Sequence, residues 1–343
     1  MLREHPGLGR SAEQEQFGAA VHDMLSGADA PGAAREWAAG NREPGLALWG
    51  CLAGLGVTGL AVPQRCGGLG ASPLDLVVAC EELGHHAAPG PVAESLAAVP
   101  QLLTALDATA ELAGRASGWL AGLAAGELLG TLAAPPRLPY ALDTEAAGLV
   151  LLAEGGSVWL ASPGARHRSV DGTRWLAEVH GTELLADRGV AAGAVDRAVQ
   201  LGTLASAAQL LGAGRALLAA SVRHAGQRSQ FGRPIGTFQA VKHQLADVAI
   251  GLEFARPLLD AAAAAVGGAS ATARRDVSAA KVACADAAYR AARTALQVHG
   301  AIGYTQEHDL SLWLTKVRAL VPAWGSQAGH RAVVMAELTG GAA

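Results

Sequence analysis

Apolar positions fall at helical spacing over most of this chain, with one stretch in the middle where they do not. From Ser11 to about Ala124 they recur three and four residues apart between short breaks. Leu46-Ala-Leu-Trp-Gly-Cys-Leu-Ala-Gly-Leu55 carries one apolar stripe, and Val62-Pro-Gln-Arg-Cys-Gly-Gly-Leu-Gly70 breaks it as a loop. Ser72-Pro-Leu-Asp then restarts a helix with a hydroxyl cap and a proline in its first turn. Between about Gly126 and Gly193 short runs such as Leu149-Val-Leu-Leu-Ala153 and Val158-Trp-Leu-Ala161 are separated by Gly, Pro and Asp-Gly turns, the pattern of a small β domain. Helical spacing returns at Val195 and predicts helices from Asp196 to about Gln230, Thr237 to about Val266 and Ala271 to about His299, with a last stretch from about Asp309. Long Ala/Leu-rich helices joined by short loops pack as an antiparallel bundle. The chain therefore divides into an N-terminal helical domain (1–125), a β domain (126–194) and a C-terminal helical bundle (195–343).

Composition agrees with a mostly α fold and removes several function classes. Hydrophobic residues make up 51% of the 343 and aromatics only 4%, so the apolar mass is Ala, Leu and Val, which favours helix packing. The net charge of −4 and the absence of a Lys/Arg block leave no footprint for nucleic acid or an anionic membrane. Small molecules and other proteins are the expected partners. Met1-Leu-Arg-Glu-His-Pro-Gly has no apolar run behind its charges, and no window of 18 apolar residues escapes Gly, Pro or charge, so a cytoplasmic protein is expected. Cys51, Cys66, Cys80 and Cys284 have no C-x-x-C spacing, which argues against a zinc site or a disulfide framework.

Two strings carry candidate chemistry. Arg228-Ser-Gln-Phe-Gly-Arg-Pro-Ile235 reads in one way as an ordinary helix stop, with Arg in the last turn, then Gly, then Pro. It reads in another as a fixed cation for a pyrophosphate, with Phe231 packing a flat ring and Gln239 donating to a phosphate or ring edge. Gln297-Val-His-Gly-Ala-Ile-Gly-Tyr-Thr305 is either an interhelical turn or a place where glycines let a cofactor approach the backbone.

The strings Arg-x-Gln-Phe-Gly, Phe-Gln and Gln-x-x-Gly-x-x-Gly-Tyr-Thr, in this order and separation, resemble the acyl-CoA dehydrogenase family. Leu55-Gly-Val-Thr-Gly-Leu-Ala-Val-Pro63, Gly67-Gly-Leu-Gly70 and Glu81-Glu-Leu-Gly84 resemble its N-terminal helical domain. The resemblance implies N-terminal helices, a middle β domain and a C-terminal four-helix bundle, with FAD lying between subunits. Arg228, Phe231, Phe238 and Gln239 match the cofactor set of one subunit; Gln297, Val298, His299, Gly300 and Ala301 match the set contributed by its neighbour.

The family's reaction removes an α proton with a carboxylate while hydride leaves the β carbon for the flavin. Here Trp324-Gly325-Ser326 stands where Glu-Gly-Thr is common, and an indole accepts no proton at neutral pH. The alternative base position on an earlier helix falls near Gly202, in Gln200-Leu-Gly-Thr-Leu204, again without a carboxylate. No catalytic residue is therefore assigned. The β segment is shorter than the family's usual one and lacks its flavin-contacting strings; Trp159 and Trp175 stand there as ring-stacking groups or as buried core.

Other candidates are weaker. Gly7-Leu-Gly-Arg-Ser-Ala12 matches a dinucleotide fingerprint by letter, but no strand precedes it. His85-His86, His224, His243, His299, His308 and His330 show no metal-ligand spacing, and Glu307-His308-Asp309 reads as the acidic start of the last helix, so no metal is assigned.

Three functions follow from the resemblance. The first is FAD-dependent α,β-dehydrogenation of a bulky, steroid-side-chain-like acyl-CoA. The chain is then the base-lacking subunit of an α2β2 enzyme, beside a larger homologous subunit and an electron-transfer flavoprotein or similar acceptor. The second is a flavin oxidoreductase acting alone on a different or carrier-bound acyl group. The third is a non-catalytic partner subunit without flavin.

Overall fold

The computed structural model describes residues 9–107, 112–305 and 308–340. Gly7 and Leu8 of the glycine string and Glu307 of the acidic trio lie outside the described residues.

The N-terminal layer holds α1 (Ala12–Gly27), α2 (Ala30–Ala39), α3 (Glu43–Gly54), α4 (Pro73–His85), α5 (Val99–Asp107) and α6 (Ala113–Ala124). Local chemistry starts these helices where the sequence pattern places them. Ser11 and Gln14 form a reciprocal capping box on α1; Ser72 and Asp75 do the same on α4, with Pro73 at its first position. Trp37 and Trp49 are fully buried, and their indole N–H groups donate to Asp143 Oδ1 (3.2 Å) and the Pro89 carbonyl (3.0 Å).

A five-stranded sheet follows: β1 (Gly130–Ala133), β2 (Ala141–Leu142), β3 (Leu149–Glu154), β4 (Ser157–Arg168) and β5 (Trp175–Ala186), in the order β1-β3-β4-β5-β2. β1 pairs with β3 in parallel and the remaining pairs are antiparallel. The Leu142 N–H donates to Thr131 Oγ1 at 2.9 Å, so the two edge strands meet and the sheet curls around a small core of Ala133, Ala141, Val150 and Leu152.

The C-terminal bundle is built on α7 (Arg188–Gln227), α8 (Gln239–Gly267) and α9 (Ala273–His299), completed by α10 (Leu310–Leu320) and α11 (Gln327–Thr339). The sequence pattern starts α7 at Asp196; it begins about two turns earlier, because Asp187 Oδ1 accepts from the Gly189 and Val190 amides. Five contacts set the directions. Ser206 meets Lys281, Gly214 meets Ala288 and His224 stacks on His299, so α7 and α9 run parallel; Gly236 lies against Ala225 and Leu252 against Gly214, so α8 runs antiparallel to both. By length and composition α7 is long and apolar enough to cross a membrane, but 72% of that window is buried in the protein: it is the central core helix.

The layer and the bundle meet where α4 crosses α7 at backbone contact. A Cβ at Gly212 would lie 1.8 Å from the Glu81 carbonyl oxygen, and one at Gly84 would lie 2.1 Å from that of Gln209. Each helix thus presents a glycine to the other's backbone. Gly212→Ala should destabilise the chain by about 3 kcal/mol, the upper end of the overpacking range, despite alanine's higher helix propensity. Urea denaturation should show this loss, while Gly114→Ala, with nothing within 4 Å of its Cβ position, should be neutral or stabilising.

Candidate functional site

The first string sits at the far end of α7, and its local structure differs from the predicted helix to Gln230. α7 ends at Gln227, and β6 (Ser229–Gln230) pairs with β7 (Arg233–Pro234) around Phe231 and Gly232. Both turn residues take left-handed φ, +53° and +78°, the conformation a two-residue hairpin turn demands. The tight turn puts the Phe231 ring out at 92% exposure, edge-on to Phe238 at 6.2 Å between centroids. The Arg233 guanidinium lies over Phe238 at 4.2 Å. Arg228 and Gln239 are exposed beside them, and α8 starts with no side-chain acceptor for its first-turn amides.

The second string ends α9 at the same end of the molecule. The His299 ring, buried, stacks on His224 in the last turn of α7 at 4.2 Å, and its Nδ1–H donates to the Ala295 carbonyl at 2.8 Å. Burial pushes both imidazoles below their ordinary pKa. Val298 is half-buried, whereas Gln297, Gly300 and Ala301 are exposed. Gly300 has φ +64°, and nothing lies within 4 Å of its Cβ position, so glycine serves the backbone turn. Gln297, Gly300 and Ala301 line a recess of about 830 Å³ with Arg290 and Arg293. The two arginines escaped sequence reasoning; the signal was their spacing, which puts 290, 293 and 297 on one helical face. One chain therefore presents both strings, with their cations, at one end of its bundle.

Trp324 and Gly202 lie elsewhere, and they touch. Between α10 and α11 the chain turns through Val321–Ser326, where Trp324 takes φ +64° and buries its indole to 1% exposure. A Cβ at Gly202 would stand 2.2 Å from Trp324 Cζ3, so the ring occupies the volume a side chain at 202 would need. Below the turn, Lys281 Nζ donates to the Leu320 carbonyl (2.7 Å) and Ser206 Oγ (3.0 Å), tying the end of α10 to α7. This lysine is fully buried with no ion-pair partner among the described residues, and desolvation pushes it down to about 7.

His330 on α11 completes the arrangement. Its Nε2 lies 3.1 Å from the Trp324 carbonyl, which can only accept, so Nε2 carries the proton and Nδ1 accepts from Ser278 Oγ at 3.2 Å. Burial pushes this imidazole down to about 4, and both its nitrogens are engaged by neighbours. The adjoining cavity, about 740 Å³, is lined by Arg137, Arg197, Gln200, Arg274, Ser326 and His330 among others. Its three arginines face one carboxylate, Asp196, which suits an anionic ligand.

In the sheet, Trp175 is covered by the Arg166 and Arg168 guanidinium groups at 4.6 and 5.0 Å, and Trp159 packs on Gly181. Both tryptophans are thus engaged by their own domain. His243 stands apart on α8 and Asp309 begins α10; His85, His86, His224, His299 and His308 converge on a single cleft.

Comparison with known proteins accords with this geometry. Residues 11–132 match the acyl-CoA dehydrogenase N-terminal domain and residues 189–339 the acyl-CoA dehydrogenase C-terminal domain. The acyl-CoA dehydrogenase IpdE2 of Mycobacterium tuberculosis is 31% identical over 311 residues, covering 89% of this chain and 90% of that protein. The chain belongs to the acyl-CoA dehydrogenase family, which makes it an oxidoreductase of a class whose cofactor is FAD. Among solved structures, the ChsE4-ChsE5 complex of Mycobacterium tuberculosis shares the fold with a TM-score of 0.82 at 24% identity, covering 98% of this chain and 100% of that one. The Tcur3481-Tcur3483 steroid acyl-CoA dehydrogenase does so with a TM-score of 0.82 at 20% identity, covering 97% and 99%.

Proposed function

We propose that this chain is the base-lacking subunit of a heteromeric, cytoplasmic acyl-CoA dehydrogenase, with a larger homologous subunit supplying the carboxylate that removes the α proton. The observation that carries this reading is the Trp324–Gly202 contact. The two positions where the family places its base are pressed against each other, one an indole and the other the glycine that admits it. His330, the nearest imidazole, spends both nitrogens on Trp324 and Ser278. A positioned base contributes about 10² to 10⁴ in rate, so its loss is decisive for one chain acting alone.

The cofactor strings support the same arrangement. Arg228, Phe231, Phe238, Gln239 and Gln297 to Ala301 fit a flavin nucleotide: one exposed and one half-buried aromatic ring, a half-buried valine, a helix start without a side-chain cap, and a backbone glycine turn beside Arg290 and Arg293. Arg228 would hold the pyrophosphate. When bound, FAD supplies the hydride acceptor for the substrate's β carbon. From Gly202 to Arg228 the rise along α7 is about 39 Å at 1.5 Å per residue, so the first string lies far along the helix from the position without a base. On this reading the two strings would hold FAD at a subunit interface, and the base would come from the neighbouring subunit. The likeness to a two-chain complex and to a steroid acyl-CoA dehydrogenase supports a heteromer acting on a bulky acyl-CoA, with an electron-transfer flavoprotein or similar acceptor.

The test is to purify the chain alone and together with a larger homologue encoded beside it, then record flavin absorbance and acyl-CoA-dependent dye reduction. The pair should be yellow and active, and the single chain slower by about 10² to 10⁴. Arg228→Ala in the pair should lower flavin content. Comparable turnover by the chain alone would overturn the reading in favour of an autonomous oxidoreductase; a colourless pair would favour a non-catalytic partner.

A further inference from the structure

Six of the eleven histidines line one cleft of about 490 Å³ between α1, the end of α4, α7 and the start of α10. Three of them, His22, His85 and His86, bring a ring nitrogen each to within 4.8 Å of one another. Their rings form a triangle with centroid separations of 5.2 Å (22–85), 4.7 Å (22–86) and 5.1 Å (85–86). Sequence spacing hides the group, because His22 lies on α1 and only the packing of α1 against α4 delivers it to His85-His86.

The hydrogen bonding of the three rings is incomplete. His22 Nδ1 faces both Glu82 Oε2 at 2.8 Å and His86 Nε2 at 3.2 Å, and a nitrogen that carries either one proton or one lone pair serves only one of them well. His85 Nδ1 is buried and has no hydrogen-bond partner among the described residues. Buried polar atoms in folded proteins are nearly always paired, and an unpaired one calls for an ion or a water.

We propose that His22, His85 and His86 form a binding site for a divalent transition metal, zinc in particular, which ties α1 to the end of α4. Imidazole nitrogens are the preferred ligands of such ions, and zinc accepts three of them with a fourth position left to water or another ligand. Two nitrogens on one tetrahedral zinc stand about 3.3 Å apart, given Zn–N bonds of about 2.0–2.1 Å; His22 Nδ1 and His86 Nε2 already have that separation. Glu82 Oε2 stands 2.8 Å from the same His22 Nδ1, so zinc on that nitrogen would replace its proton and leave the carboxylate beside the ion, with Arg215, paired with Glu81 and Glu82, as the cation it shares. His224, His299, His308 and Asp309 line the same cleft. The proposal is independent of the flavin reading.

The experiment is zinc titration of the full chain, purified without a histidine tag, by calorimetry and by metal analysis after dialysis. One zinc per chain is expected. His86→Ala and His22→Gln should each weaken binding at least tenfold, and His224→Ala should not. Zinc should also raise the melting temperature of the unsubstituted chain and of His224→Ala but not of His22→Gln, a change on a partly exposed helix that leaves the fold intact. Zinc stoichiometry well below one, or equal binding by His22→Gln and the unsubstituted chain, would overturn the proposal.

Discussion

Trp324→Ala should lower stability by about 3–5 kcal/mol, the cost of emptying a buried tryptophan site. The indole is 1% exposed and lies against α7 at Gly202, so its removal leaves a cavity between α7 and the turn joining α10 to α11. The reciprocal change tests the contact itself. Gly202→Ala places a methyl 2.2 Å from the ring and should cost about 1–3 kcal/mol in the native chain. In the Trp324→Ala background the clash is gone, and the same change should be neutral or stabilising by up to about 1 kcal/mol, since alanine is the better helix former. Urea denaturation of the two single variants and the double variant reads the coupling directly. Additive losses would mean that residues 202 and 324 do not share this space.

Glu81→Ala is the second large effect, about 3–5 kcal/mol, because it strands charges that the fold has taken out of water. Glu81 is fully buried at the crossing of α4, α7 and α8. It accepts from Arg10 at 2.7 Å and Arg215 at 2.6 Å, with Arg256 at 3.2 Å. Asp260 pairs with Arg10 and Glu82 with Arg215, so the cluster balances three guanidinium groups against three carboxylates. Removing one leaves an uncompensated cation between layers. The exposed pair Arg331–Asp286, at a similar 2.8 Å, is the control: Asp286→Ala should change stability by less than about 1 kcal/mol. Thermal melts of both variants decide the matter, and equal shifts would sink the distinction.

How much of the site was legible depends on how far apart its parts lie in the chain. The flavin strings could be read because each is short and its chemistry local. Even so, the helical spacing predicts a helix to about Gln230, where left-handed φ at Phe231 and Gly232 makes a hairpin instead. Arg290 and Arg293 were missed, since on a long helix only the neighbouring turn reveals which face is free. The missing carboxylates were visible as letters at 202 and 324; that the two positions occupy the same volume was not.

By itself the sequence determined the helical and β regions in outline, the cap at Ser72, the family, and the absence of a carboxylate at residues 202 and 324. These are properties of residues within a turn or two of one another, where periodicity and capping act. The tertiary structure alone decided that Trp324 closes on Gly202, that Glu81 gathers three arginines, that His22 joins His85 and His86, and that both flavin strings share one end of the bundle. Each of these joins elements remote in sequence, and their meeting depends on helix crossings that no local pattern encodes.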